Sequence, residues 1–150
     1  MGKRSGVDLR ISRLMMLIAL MCERLKRYGE GERILRAMQA YRADLPHPGT
    51  GLALCYISQG RLGEALKEID AVRAAYPEYQ MAKALLGIAH RDAGNPGWRE
   101  ILAEVIDDGR DEYAINLARD TLGLDPGTTT NDSTSEGMPV GVPHAQRVYA

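Results

Sequence analysis

Residues 27–40 of this chain read RYGEGERILRAMQA, and residues 61–74, which lie 34 positions later, read RLGEALKEIDAVRA. Arg27 aligns with Arg61, Gly29 with Gly63, Glu30 with Glu64, Leu35 with Ile69 and Ala37 with Ala71. Self-similarity at a fixed period constrains the fold more than any other feature here. It means that one supersecondary unit is used repeatedly, and a unit of about 34 residues is a helix–turn–helix. Such a unit cannot bury its apolar face alone. Neighbours must stack into a shared core, and about three units are the usual minimum.

The rest of the chain supplies the other units. Ile11, Leu14, Met15, Leu17, Ile18, Met21, Cys22 and Leu25 recur at three- and four-residue spacings, predicting a helix over 9–27. Further helices are expected over 30–41, 50–59, 62–76, 79–92, 96–107 and 111–122. Gly29, the connector LPHPGTG at 45–51, Gly60, Pro77, Gly94, Gly109 and Gly123 punctuate them. Asn95 and Pro96 read as a cap followed by proline at the first helical position. The middle unit, 46–79, fits the tetratricopeptide pattern with Leu52, Ala53, Tyr56, Gly60, Ala65, Ile69 and Pro77. The first unit offers Ile18, Ala19, Cys22, Gly31 and Leu35, with Gly31 in the place of Ala65. The third offers Leu86, Gly87, His90 and Gly94, then departs at Arg99, where alanine is expected. The predicted fold is all-α: a right-handed tetratricopeptide-like stack of three helix pairs plus a C-terminal capping helix. Residues 1–8 are expected as a flexible extension, 9–123 as the domain, and 124–150, rich in Gly, Pro, Ser and Thr, as a disordered and dispensable tail.

Composition agrees. Apolar residues make up 45%, but there are seven Tyr, one Trp and no Phe, so Ala and Leu carry the packing, which suits closely approaching helices. A net charge of −1 predicts no nucleic-acid binding. The charge is uneven: residues 1–48 hold ten basic and five acidic groups, residues 99–136 three basic and ten acidic, a dipole able to orient a charged partner. Cys22 and Cys55 make neither a disulfide framework nor a zinc site, and act as small hydrophobes in a reducing compartment. The run LMMLIALM at 14–21 follows Lys3, Arg4, Arg10 and Arg13 as in a signal peptide, but no small-residue cleavage site follows. It is also far short of the roughly 20 residues that span a bilayer. A cytoplasmic location is expected, with export to the periplasm without a cleaved signal as the alternative.

No catalytic constellation emerges. His47, His90 and His144 are isolated in sequence, and no Cys or His pair has metal spacing. Gly49-Thr50-Gly51 and Gly29-Glu30-Gly31 follow no strand, so neither reads as a phosphate loop. The acids Asp107, Asp108, Asp111 and Glu112 flank a turn and suit capping. A binding protein without cofactor or metal is expected, not an enzyme.

Residues 81–123, MAKALLGIAHRDAGNPGWREILAEVIDDGRDEYAINLARDTLG, combine an Ala/Leu-rich helix, the turn Gly94-Asn95-Pro96-Gly97-Trp98, a further helix and a final Ala/Leu helix. With LRAMQAYRADLP at 35–46, this resembles the Hrp-associated HrpB/HrpK family of bacterial type III secretion over about residues 10–123, and more distantly the chaperones of needle subunits. The resemblance implies an accessory role: a chaperone or assembly factor that binds a secreted or structural component of the apparatus. A generic tetratricopeptide scaffold or a self-associating module is the alternative. In either case the groove-facing positions fall on Arg13, Met16, Leu20 and Glu23, on His47, Thr50, Leu54 and Ile57, and on Met81, Ala84, Ile88 and Arg91. This set, apolar with a few charges, would suit an amphipathic helix.

Overall fold

The computed structural model describes residues 6–124, with side chains from residue 9. The expectations for residues 1–5 and for the tail from residue 125 therefore lie outside the described residues. Seven helices and no strand occur among the described residues: α1 (Gly6–Arg24), α2 (Tyr28–Tyr41), α3 (His47–Ser58), α4 (Leu62–Ala75), α5 (Gln80–Asp92), α6 (Trp98–Asp108) and α7 (Glu112–Leu122). Gly6 to Asp8, assigned above to a flexible extension, form the first turn of α1.

Consecutive helices pack in antiparallel succession, as in a tetratricopeptide-like stack. The odd-numbered helices also touch in a row, α1 on α3, α3 on α5 and α5 on α7, whereas α2, α4 and α6 do not pack on one another. An inner row in contact and an outer row held apart curves the stack, with the odd helices on the concave side. Long side chains bridge the outer gap: Arg36 of α2 pairs with Glu68 of α4 at 2.7 Å, and Gln39 donates to Glu68 at 3.1 Å.

The repeat is visible in the backbone. Arg27 and Arg61 precede α2 and α4 with nearly the same dihedrals, and each pairs with the glutamate three residues on, Glu30 at 2.9 Å and Glu64 at 2.5 Å. The turns inside the first three pairs each place a left-handed residue two positions past the end of the first helix. Gly60 and Gly94 supply it at φ 71°, and Lys26 takes the equivalent place at φ 58°. Gly29 is therefore not the turn residue expected of it; it lies within α2. Helix α3 starts three residues earlier than expected because Pro48 sits in the first turn, where no backbone N–H is needed. In the third pair, Asn95 and Pro96 do not open α6. Gly97, left-handed at φ 84°, precedes it, and Asn95 instead closes α5 through its N–H to the His90 carbonyl at 2.9 Å.

Small residues set the helix spacing. Ala65 is fully buried with Leu35, Met38, Leu52 and Tyr56. Gly31 lies where a Cβ would come 3.3 Å from the Ala19 carbonyl oxygen, so an alanine there would require the first pair to give slightly. In the irregular third pair the close approach falls on Gly87, where a Cβ would meet Leu102 at 2.7 Å. Leu35, Leu52, Ile69 and Leu102 are each almost wholly buried, and burying such a side chain contributes about 1.5–3 kcal/mol.

Candidate binding groove

The concave side carries an apolar groove of about 370 Å³. Met16 and Leu20 of α1, Thr50 and Leu54 of α3, Met81 and Leu85 of α5 and Leu117 of α7 line it, with His47, Tyr79 and Tyr113 at its polar rim. Each comes from an odd helix or its approach, because only that row faces inward. Thr50 is buried as part of the floor; its hydroxyl donates to the His47 carbonyl at 3.1 Å and lies within hydrogen-bonding reach of the Tyr79 hydroxyl. His47 Nδ1 lies 2.9 Å from the Tyr79 hydroxyl and the two rings meet edge to face at 5.5 Å, which fixes that end of the groove. Burial pushes the Tyr79 hydroxyl above its ordinary value, so it stays a neutral donor or acceptor.

Six of the twelve expected groove positions meet here: Met16, Leu20, His47, Thr50, Leu54 and Met81. The others lie elsewhere. Arg13 borders a smaller cleft with Leu9, Met38 and Leu45. Glu23 accepts a hydrogen bond from the Ser58 hydroxyl at 2.6 Å, Ile57 is half-buried between two core clusters, and Arg91 pairs with Asp92 at 2.8 Å. Ala84 and Ile88 are buried in the core and are not among the residues that line the groove. Ala84 packs with Leu102, Val105, Ala114 and Ala118, and Ile88 with Ala53, Ile69, Leu85 and Ala89. Leu117 packs against both clusters, so α7 covers α5 there and closes that end of the stack. Sequence reasoning treated α7 only as a cap and missed Tyr113 and Leu117. The apolar spacing of Ala114, Leu117 and Ala118 was the available signal.

Behind the groove a charged network locks three helices together. The Tyr56 hydroxyl donates to Glu32 at 2.6 Å and accepts from Arg36 at 2.9 Å; Arg61 lies over the Tyr56 ring at 4.3 Å and bonds the second Glu32 oxygen at 3.2 Å. The hydrogen bond from Tyr56, reinforced by Arg61, holds the Glu32 carboxyl below its usual range. Nothing in this network faces the groove as a nucleophile or base. Burial pushes the Cys55 thiol up to about 11, the reverse of an activated cysteine. Among the described residues, no group of three His, Cys, Asp or Glu is placed to hold a metal ion, and no helix is long and apolar enough to cross a membrane.

The described residues thus form an all-helical stack with an apolar groove on its concave side. Residues 11–124 match the model of the HrpB1_HrpK bacterial type III secretion proteins, and the chain belongs to that family. No curated protein and no solved structure matches it.

Proposed function

We propose that this type III secretion protein is a chaperone or assembly factor, and that its concave groove holds an apolar helical segment of a secreted or structural component of the apparatus. The observation that carries this reading is the groove's lining. Six apolar side chains from four helices surround a cavity with room for one helix face, and its few polar groups are at the rim. Burying a partner's apolar stripe there would follow the helix-in-groove mode of recognition. Met16 and Met81, unbranched and polarizable, would fit an irregular partner. In this reading the chain catalyses nothing and needs no cofactor.

The test is calorimetric titration of the chain against the purified filament subunit and early secreted proteins of its own secretion system. Saturable binding of one of them, abolished by Leu54→Asp, is expected. Binding that survives Leu54→Asp unchanged would move the site off the groove.

A further inference from the structure

Among the described residues, nothing covers the N-terminal end of the stack. Ile11, Leu14, Ile18, Met21 and Leu25 are all exposed, Leu25 as much as 66%. Their spacing alternates strictly between three and four residues, so they form one straight seam along the outer side of α1. The repeat shows what this seam is shaped for. One period later, Leu14, Ile18 and Met21 become Pro48, Leu52 and Cys55, and all three are buried, the latter two in the cluster with Ala19, Leu35 and Met38 of the first pair. On the second helix, Ile34 corresponds to Glu68, which reaches back to Arg36 and Gln39 of the preceding pair. The outer side of α1 and α2 is thus a surface for seating a helix, without the polar face that a terminal repeat needs.

The charge around the seam selects the occupant. Arg10, Arg13 and Arg24 run along the edge of α1 next to the seam, and none of them enters an ion pair among the described residues. A second copy does not answer them. A two-fold that runs the α1 helices antiparallel sets the arginine edges side by side; one that runs them parallel sets each against Ile34, Ala37 and Tyr41. Among the described residues, the far end of another copy offers acids, Glu112 and Asp120 on α7, but only Tyr113 as an exposed large apolar side chain. We infer that the outer face of α1 and α2 is a second docking surface, distinct from the groove, and that its occupant is an amphipathic helix of another protein whose apolar seam is flanked by aspartate or glutamate.

The test uses the full chain and two fluorescent synthetic helices about 20 residues long, enough to run the length of α1. Both carry leucines at alternating three- and four-residue spacing; one is flanked by glutamates, the other by lysines. The acidic helix is expected to bind about tenfold or more tightly than the basic one at low salt, with the gap narrowing as salt is added. Ile18→Asp should abolish this binding with an unchanged melting temperature, since Ile18 is already exposed. Leu54→Asp should leave it intact, which separates this surface from the groove. Three results would overturn the inference: equal binding of the two helices, loss with Leu54→Asp but not with Ile18→Asp, or a wild-type chain that sediments as a dimer and becomes monomeric with Ile18→Asp, since a second copy would then cover the face.

Discussion

Lys26 shows the repeat at the resolution of one residue. It holds the left-handed turn between α1 and α2 that glycine holds in the next two pairs. A side chain in that region costs about 1–2 kcal/mol, partly offset by the greater freedom glycine has when unfolded. Lys26→Gly is therefore expected to stabilise the protein by about 0.5–1 kcal/mol, read as a higher melting temperature; a lower one would mean the lysine makes a contact that outweighs the strain. Ala65 makes the opposite case. It has no exposed surface and sits among Leu35, Leu52 and Tyr56. Ala65→Leu is expected to destabilise by about 1–3 kcal/mol through overpacking, and an unchanged denaturation midpoint would contradict the close crossing of α3 and α4 assigned to it.

At the scale of the element, the helices were legible because their apolar spacing and their stops are local properties. All seven appear where the periodicity put them, within a few residues. What escaped depended on tertiary partners. Gly29 looked like a turn because glycine usually is one, while the actual turn residue, Lys26, carries no such signature. Pro46 and Pro48 looked like breakers, yet the first turn of α3 tolerates them. Of the lining of the candidate groove, Met16, Leu20, His47, Thr50, Leu54 and Met81 were readable from the repeat, whereas Arg13, Glu23 and Ile57 on the same helices fall outside it. The burial of Ala84 and Ile88 was not readable, because it comes from partners on other helices, Leu102 and Ala114 for Ala84, Ala53 and Ile69 for Ile88. The Glu32–Tyr56–Arg61 network was equally invisible, since it joins residues 24 and 29 positions apart. It has a pH signature. A depressed carboxyl contributes stability that is present above the unfolded carboxylate range, near 4.3, and is lost as pH falls through its folded value. The wild-type chain should lose stability on acidification below about pH 4.5, and Glu32→Gln should flatten that slope. Parallel acid melts of the two proteins would show it; identical slopes would mean Glu32 contributes nothing to acid sensitivity.

At the scale of the molecule, the stack is asymmetric. Among the described residues, α7 closes its C-terminal end, nothing covers its N-terminal end, and an apolar groove runs along its inner side. The central claim is that this groove is a binding surface and not a part of the core, and two leucine-sized positions one period apart decide it. Leu54 lines the groove, half-buried, whereas Ile88, its counterpart on α5, is buried in the core with Ala53 and Ile69. The most direct measurement is the thermal melt of Leu54→Asp and Ile88→Asp beside the wild type, with titration of the secretion component that the wild type binds. Leu54→Asp should melt close to the wild type and lose binding, while Ile88→Asp, which buries an unpaired charge, should unfold or melt far lower. If Leu54→Asp unfolded the chain as Ile88→Asp does, or melted normally and still bound its partner in full, the groove would not be the site of function.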